Sequence, residues 1–378
     1  MGDTTVVRST SPRLSGEATL ELVATYGSFD GGLGETLNDI WVHDVGPDGS
    51  VYLLDQNAGI KRFNPDGSFG VWVAREGRGP GEVRNGRGLA VRGDGKVAFW
   101  DLGNGRVATF DRAGFRSSRV GARRLQYTEG SLTWVDDTLW AVAASPIAGQ
   151  GGAEGPRLLR LDEALTVQDS ITVPSRYFEG CPTLSESRYR NGYWEDQRDP
   201  WLPKVRVSIG SDGRVVFACP SEFEFDVVDQ GGEILRVQWD RQPVPIQEFE
   251  ISDVSGPVIQ GRDQPTERPA YSRVIPEPSG RIWVWLSQPS AYHPVPEELI
   301  PLAGKSEVLA IRSGDGVFDV FDEEGGWRGS VRIPPEVKYS GHPTEPAIKI
   351  RGDTVWAVFD DEFGVEYVGK YVVRWPSS

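Results

Sequence analysis

The residues that could do chemistry in this sequence are few. There are three histidines, His43, His293 and His342, and two cysteines, Cys181 and Cys219. Three imidazoles could hold Zn²⁺, but their spacing forms no local zinc motif. Asn38, Asp39, Asp55 and the run Asp360-Asp361-Glu362 offer oxygens of the kind Ca²⁺ needs, again without the spacing of a calcium loop. No cofactor therefore follows from the residues; Ca²⁺ and Zn²⁺ are the two metals their types would suit. Nucleophile elbows, zincin helices and phosphate loops are absent from the sequence. Binding chemistry is better represented. Residues 176–203 gather Arg176, Tyr177, Phe178, Tyr189, Arg190, Tyr193, Trp194, Arg198 and Trp201. Aromatic faces stack, and guanidinium groups bond in pairs. Sugars, peptides and aromatic acids are held by such surfaces, although the same residues could pack on one another as a lid. Arg87, Lys204, Arg206, Tyr271 and Arg273 form a second set, each at or just before the start of an apolar strand. A basic cluster of this kind suits a carboxylate or phosphate, and pairing with neighbouring carboxylates is the rival reading.

These groups must be positioned by strands. One element recurs: apolar strand, tight polar turn, apolar strand. Its turns are Pro47-Asp48-Gly49, Gly93-Asp94-Gly95, Asp136-Asp137, Ser211-Asp212-Gly213, Pro278-Ser279-Gly280 and Gly352-Asp353. Asp, Gly and Ser supply the backbone freedom that a hairpin demands. A second hairpin follows five of the six, and the last unit lacks its fourth strand. The apolar stretch Leu20–Tyr26 can supply it. The pattern predicts an all-β chain: a single six-bladed β-propeller, four antiparallel strands per blade, with the N-terminal strand closing the last blade. Residues 1–17 read as a tail and 18–378 as one domain. The blades fall near 39–77, 88–121, 130–175, 204–242, 271–335 and 346–375, the last completed by 18–28. The long segments 176–203, 243–270 and 287–306 then share one face with 78–87 and 336–346. Long loops usually carry function, so binding is expected on that face. His43 aligns with Leu89, Val207 and Val274 and reads as a packing residue. Cys181 and Cys219 fall on the long-loop face, either as two buried thiols or as a disulfide suited to an oxidising compartment.

Composition agrees. The chain has 378 residues, 46 of them Gly and 27 Pro, as a turn-rich fold requires. Its net charge of −15 disfavours nucleic acid and anionic membrane surfaces as partners. No apolar run reaches the length of a membrane span. Neither Gly77–Gly81 nor the two Arg-Gly-Asp tripeptides adds a site, since the first holds a Pro and the others are hairpin turns.

Glu76-Gly77-Arg78-Gly79-Pro80-Gly81-Glu82, with Gly88-Leu89-Ala90-Val91, Asp94-Gly95-Lys96-Val97, Asp101 and Arg106–Phe110, resembles bacterial six-bladed propellers related to NHL repeats. This resemblance to the TolB-like and gluconolactonase-like superfamily covers residues 39–121 and fades beyond them. It implies export to the periplasm or outside the cell, with Asp55 and Asp101 as blade-fixing residues. Members of that superfamily bind ligands, act as metal-dependent lactonases or amidating lyases, or serve as scaffolds. Three readings therefore stand. The leading one is a secreted or periplasmic monomer that binds a small anionic molecule, a carbohydrate or a peptide. Its site would comprise Arg87, Tyr193, Trp194, Trp201, Lys204, Arg206, Tyr271, Arg273, His293 and His342. The others are a metal-dependent lyase or hydrolase and a protein-interaction scaffold.

Overall fold

The structure, a computed structural model, describes residues 3–111, 114–120, 132–143, 157–174, 176–179, 181, 187–190, 193–196, 203, 205–246, 266–288, 290–293, 310–313, 316–337 and 347–376. Strands β1 (Thr4–Ser9) and β2 (Glu17–Tyr26) come first. The first unit is β3 (Ile40–Val45), β4 (Val51–Asp55), β5 (Gly59–Phe63) and β6 (Phe69–Arg75). The second is β7 (Gly86–Val91), β8 (Val97–Asp101), β9 (Arg106–Asp111) and β10 (Gly114–Val120). The third is β11 (Leu132–Val135), β12 (Thr138–Ala143), β13 (Arg157–Leu161) and β14 (Val167–Thr172). A short helix, α1 (Arg176–Glu179), and a hairpin, β15 (Ser187–Arg190) with β16 (Tyr193–Asp196), precede the fourth unit. That unit is β17 (Arg206–Ile209), β18 (Val215–Ala218), β19 (Glu224–Val228) and β20 (Ile234–Trp239). The fifth opens with β21 (Tyr271–Pro276) and β22 (Ile282–Leu286). It then inserts the hairpin β23 (Ser290–His293) and β24 (Ala310–Ser313), and ends with β25 (Val317–Phe321) and β26 (Trp327–Arg332). The sixth is β27 (Ile348–Arg351), β28 (Thr354–Asp360) and β29 (Glu366–Arg374), with β2 as its outer strand.

The turns fold as their residues require. Gly49, Gly95, Gly213 and Gly280 have φ of +82°, +87°, +83° and +94°, values that a side chain would strain. In three of these turns the preceding Asp accepts the N–H two residues on: Asp48 from Ser50 at 3.0 Å, Asp94 from Lys96 at 3.0 Å and Asp212 from Arg214 at 3.1 Å. Strands β4, β8, β22 and β25 are buried at every residue. Each sheet therefore hides both faces, which is why these strands read as unbroken apolar runs.

The core is six clusters, each between two consecutive units, and the last joins the sixth unit to the first through Tyr26, Val358, Val51 and Leu53. The result is an all-β, propeller-like ring. Strand β2 pairs antiparallel with β29 from Thr19↔Arg374 to Tyr26↔Val368, and its first two residues pair in parallel with β26. The fifth and sixth units thus share one eight-stranded sheet. One expectation is corrected: residues 1–17 are not a tail throughout. Thr4–Ser9 adds to the fourth unit, pairing in parallel with β20 from Thr4↔Ile234 to Ser9↔Trp239. The outer edge of β20 offers backbone partners, and Thr and Val favour the extended state.

Four units hold the segment that arrives from the previous unit with a buried aspartate. Asp55 pairs with buried Lys61 at 2.8 Å, and the ammonium also donates to the Thr36 carbonyl. Asp101 accepts the Arg84 N–H at 3.0 Å and pairs with Arg106 at 3.0 Å; Arg106 in turn donates to the carbonyls of Gly79 and Glu82. Asp226 accepts the Tyr177 hydroxyl at 2.6 Å and two bonds from Arg236 at 2.8 and 3.0 Å. Asp319 accepts the Trp239 indole at 3.0 Å, the Ser330 hydroxyl at 2.6 Å and Arg241 at 2.6 and 2.9 Å. Asp55, one of the carboxylates considered for Ca²⁺, is thus committed to structural partners. Asp319 is fully buried, so Asp319→Ala should strand Arg241 and cost about 3–5 kcal/mol in urea unfolding. A loss below about 1 kcal/mol would show that the pair does not hold the fifth unit.

Candidate functional site

A cavity of about 140 Å³ is lined by the first strand of every unit: β3, β7, β11, β17, β21 and β27. It lies towards the tight hairpins, since Val91, Ser211, Pro276, Pro278 and Arg351 are among its walls. The long-loop face, where binding was expected, falls largely outside the described residues. Among the described residues, three cations line the cavity, Arg273, Lys349 and Arg351, against one carboxylate, Asp44. Asp44 is held from two sides: its Oδ2 accepts the Val91 N–H at 2.7 Å, and Lys349 Nζ lies 3.8 Å from its Oδ1. The Arg351 guanidinium donates to the Val45 carbonyl. Ser208 donates to the Val274 carbonyl at 2.7 Å, and the Trp134 indole to the Ala90 carbonyl at 3.2 Å. These bonds tie adjacent first strands together and hold the wall rigid.

His43 lies beside this wall and is 2% exposed. Its Nε2 is 3.1 Å from the Trp356 carbonyl, so Nε2 carries the proton of a neutral ring. Burial first, then the Lys349 charge and more weakly Arg273, lower its pKa to about 4, against the opposing pull of the Trp356 carbonyl and Asp44. His43 is thus a packing residue, as its alignment with Leu89 indicated.

The remaining candidates divide clearly. Arg206 opens β17, and Arg273 joins the cavity wall. Tyr271 is a correction: it is fully buried, its hydroxyl donates to the Glu224 carbonyl, and its ring lies 5.8 Å from that of Trp239. It is core, because the start of β21 faces the fourth unit's packing. Arg87 is in β7, Tyr193 and Trp194 are in β16 opposite Arg190 and Tyr189, and His293 is in β23; the side chains of these four lie outside the described residues. Trp201, Lys204 and His342 also lie outside them. Among the described residues no three His, Cys, Asp or Glu side chains gather as a metal site requires. Asp361 is engaged in a turn, accepting N–H bonds from Phe363 and Val365 at 2.9 Å each. The residues that sequence reasoning missed are Asp44, Lys349 and Arg351. Ile348-Lys349-Ile350-Arg351 alternates directly before the Gly352-Asp353 turn, and that register was the available signal.

Cys181 and Cys219 form a disulfide with Cα atoms 5.6 Å apart. It fastens the chain just after α1 to the end of β18. Tyr177 of α1 reinforces the attachment, stacking on Phe217 at 5.1 Å and donating to Asp226. Burial first, then the bond to Asp226, hold this phenol protonated well above its usual range.

No protein-family model matches the chain, and no curated protein does. Solved structures share the fold. A putative exported protein from Bacteroides fragilis superposes with a TM-score of 0.54 at 11% identity, covering 99% of this chain and 100% of that one. A member of the DUF4221 family from Bacteroides vulgatus gives 0.55 at 9% identity, covering 95% and 99%. Virginiamycin B lyase from Staphylococcus aureus gives 0.43 at 12% identity over 94% and 99%, too loose a likeness to carry an argument.

Two measurements test this description. The bridge spans 38 residues, so replacing both cysteines with serine should lower the unfolding free energy by about 2–4 kcal/mol; an unchanged value would show that the bridge constrains nothing. For His43, the unfolded ring titrates near 6.5 and the folded one near 4. Below pH 6.5 the unfolded chain gains a proton that the folded chain refuses, so stability falls until about pH 4 and levels off there. The loss should approach roughly 3 kcal/mol. His43→Asn should remove that part of the slope in urea melts; identical slopes in both proteins would refute the assignment.

Proposed function

We propose that the chain is a single six-bladed β-propeller that binds a small anionic ligand in its central channel. Six inter-unit clusters and six first strands around one cavity support the blade count. The observation that carries the binding reading is charge. A chain of net −15 brings Arg273, Lys349 and Arg351 to one cavity, lined among the described residues by a single carboxylate, Asp44. Cations gathered against the sign of the whole molecule leave a local field that draws an anion inward. At about 140 Å³ the cavity is smaller than sites for drug-sized molecules. A carboxylate or phosphate group fits it, with Asp44 available to accept from a hydroxyl on the same ligand.

The disulfide supports an oxidising compartment. The Bacteroides fragilis neighbour's description as an exported protein agrees with it. We read this protein as exported, to the periplasm or beyond the cell.

Thermal denaturation at low salt in the presence of phosphate, acetate, citrate and gluconate is the test. A ligand bound only by the folded state raises the melting temperature. At least one of these anions should do so, and Arg273→Gln combined with Lys349→Gln should abolish the rise. A flat response to all four anions, or an equal rise in the double variant, would overturn the reading.

A further inference from the structure

Strand β1 covers the edge of β20 but presents an edge of its own. It is the outermost strand of a five-stranded sheet, and it pairs with β20 over six residues without a register shift. The outer strands β6, β10 and β14 are each interrupted by such a shift. Thr4-Thr5-Val6-Val7 is β-branched throughout and suits the extended state. Natural edges are commonly guarded by Pro, Lys or an inward charge. Here the strand's one charge is Arg8, and Asp240 pairs with it at 3.2 Å.

The pairing with β20 decides which backbone groups are left over. Ile234 donates to the Asp3 carbonyl at 3.2 Å, and Asp240 donates to the Ser9 carbonyl at 3.0 Å. Successive residues of a strand turn their N–H and C=O to opposite sides. Asp3, Thr5, Val7 and Ser9 therefore face β20, while Thr4, Val6 and Arg8 face outward. Among the described residues no strand pairs with that outward side, and no other backbone bond reaches these three residues.

This edge is its own complement. Laid antiparallel on a second copy about a two-fold axis at Val6, Thr4 meets the copy's Arg8, Val6 meets Val6, and Arg8 meets Thr4. All three are then hydrogen-bonded pairs, each exchanging two N–H···O bonds. A register moved by two residues keeps only two pairs within the strand, and one moved by a single residue opposes outward groups to inward ones. Val6 is 55% exposed, and in this register it packs on its counterpart. The two Arg8 residues stand about 14 Å apart along the strands, beyond the ~8 Å screening length at physiological salt. We infer that the protein forms a symmetric dimer by antiparallel pairing of β1 with β1 of a second copy, where the sequence alone suggested a monomer. The contact is isologous, so it closes on itself and recruits no third molecule.

A single strand pair is a small contact, so a dissociation constant on the order of 10–100 μM is expected. Sedimentation velocity at about 200 μM chain should show twice the monomer mass. The dimer fraction should rise with salt, because two copies of net −15 repel each other through solvent and their contact is uncharged apart from Arg8. Val6→Pro removes only an outward N–H, as Pro on an edge strand can, and Val6→Lys sets like charges opposite each other. Each should weaken the dimer by about tenfold or more. Both should melt like the parent at about 2 μM, where the parent is monomeric as well. Cross-linking reads the register, since Cys181 and Cys219 are bonded to each other and leave no free thiol. Opposed hydrogen-bonded residues have Cα atoms about 5.5 Å apart, within reach of a disulfide. Under a mild oxidant Val6→Cys should therefore give a covalent dimer and Thr4→Cys should not. A monomer at about 200 μM would overturn the inference, as would a dimer that Val6→Pro and Val6→Lys leave intact, one that salt dissolves, or one that cross-links through Thr4→Cys instead.

Discussion

Charges removed from water hold the ring of sheets together. Asp55, Asp101, Asp226 and Asp319 sit in different units and have different partners, yet each holds the stretch of chain that has just left the preceding unit. A buried carboxylate is costly unless hydrogen bonds and an opposite charge surround it. That cost makes the arrangement specific. Apolar faces tolerate sliding, whereas a carboxylate with two to four directed donors fixes one position. The four aspartates therefore fix the chain where it enters their units, and the apolar clusters between units pack around them. Chemistry varies while the role persists: Lys61 relays Asp55 to the Thr36 carbonyl, Arg106 carries Asp101 to Gly79 and Glu82, and Tyr177 and Trp239 bring aromatic donors to Asp226 and Asp319.

The hairpins were legible in the sequence because their signals are local. An Asp-Gly turn between apolar strands needs no distant partner to be read. The closing role of β2 was legible by subtraction, since the last unit lacked a strand and Leu20–Tyr26 was unassigned. The strand Thr4–Ser9 was not legible. It buries little, and its partner lies some 230 positions away in sequence. The site was less readable than the fold for a related reason. Tyr271 and Arg273 are near neighbours in one strand, but one is core and the other lines the channel; a bulge at Ser272 breaks the simple alternation between them. Lys349 and Arg351 look like solvent-facing charges on a short strand. Only the ring brings them to one cavity with Arg273. The pairing of Cys181 with Cys219 was open for the same reason, because proximity across 38 residues depends on where α1 is fastened.

The cavity at the first strands gathers cations within an acidic protein. Among the described residues Lys349 has one carboxylate near it, Asp44, and that group already accepts the Val91 N–H. Asp44 is therefore shared, and it offsets less of the local positive charge than a dedicated partner would. His43 registers the result. A buried imidazole beside Lys349 and Arg273 stays neutral, so it adds no further charge to a wall that already holds cations. The ring is neutral first because it is buried, and the Lys349 charge adds to that effect.

The outer strands explain why β1 lies where it does. A regular edge strand presents a row of unpaired N–H and C=O groups, which invites pairing with another chain. Strands β6, β10 and β14 each meet their neighbours with a register shift, which twists the edge and spoils it as a template. The pairing of β26 with β25 is shifted as well, and β26 is partly covered by Glu17 and Ala18. Strand β20 is different: it pairs with β19 without a shift from Glu224↔Gln238 to Val228↔Ile234. This regular edge is the one that β1 fills, over six residues and in parallel. Little apolar surface is buried by doing so, since Val6 remains about half exposed. The strand is placed there by backbone hydrogen bonding and by the Arg8–Asp240 pair at 3.2 Å, which occupy an edge of the kind that invites pairing with another chain.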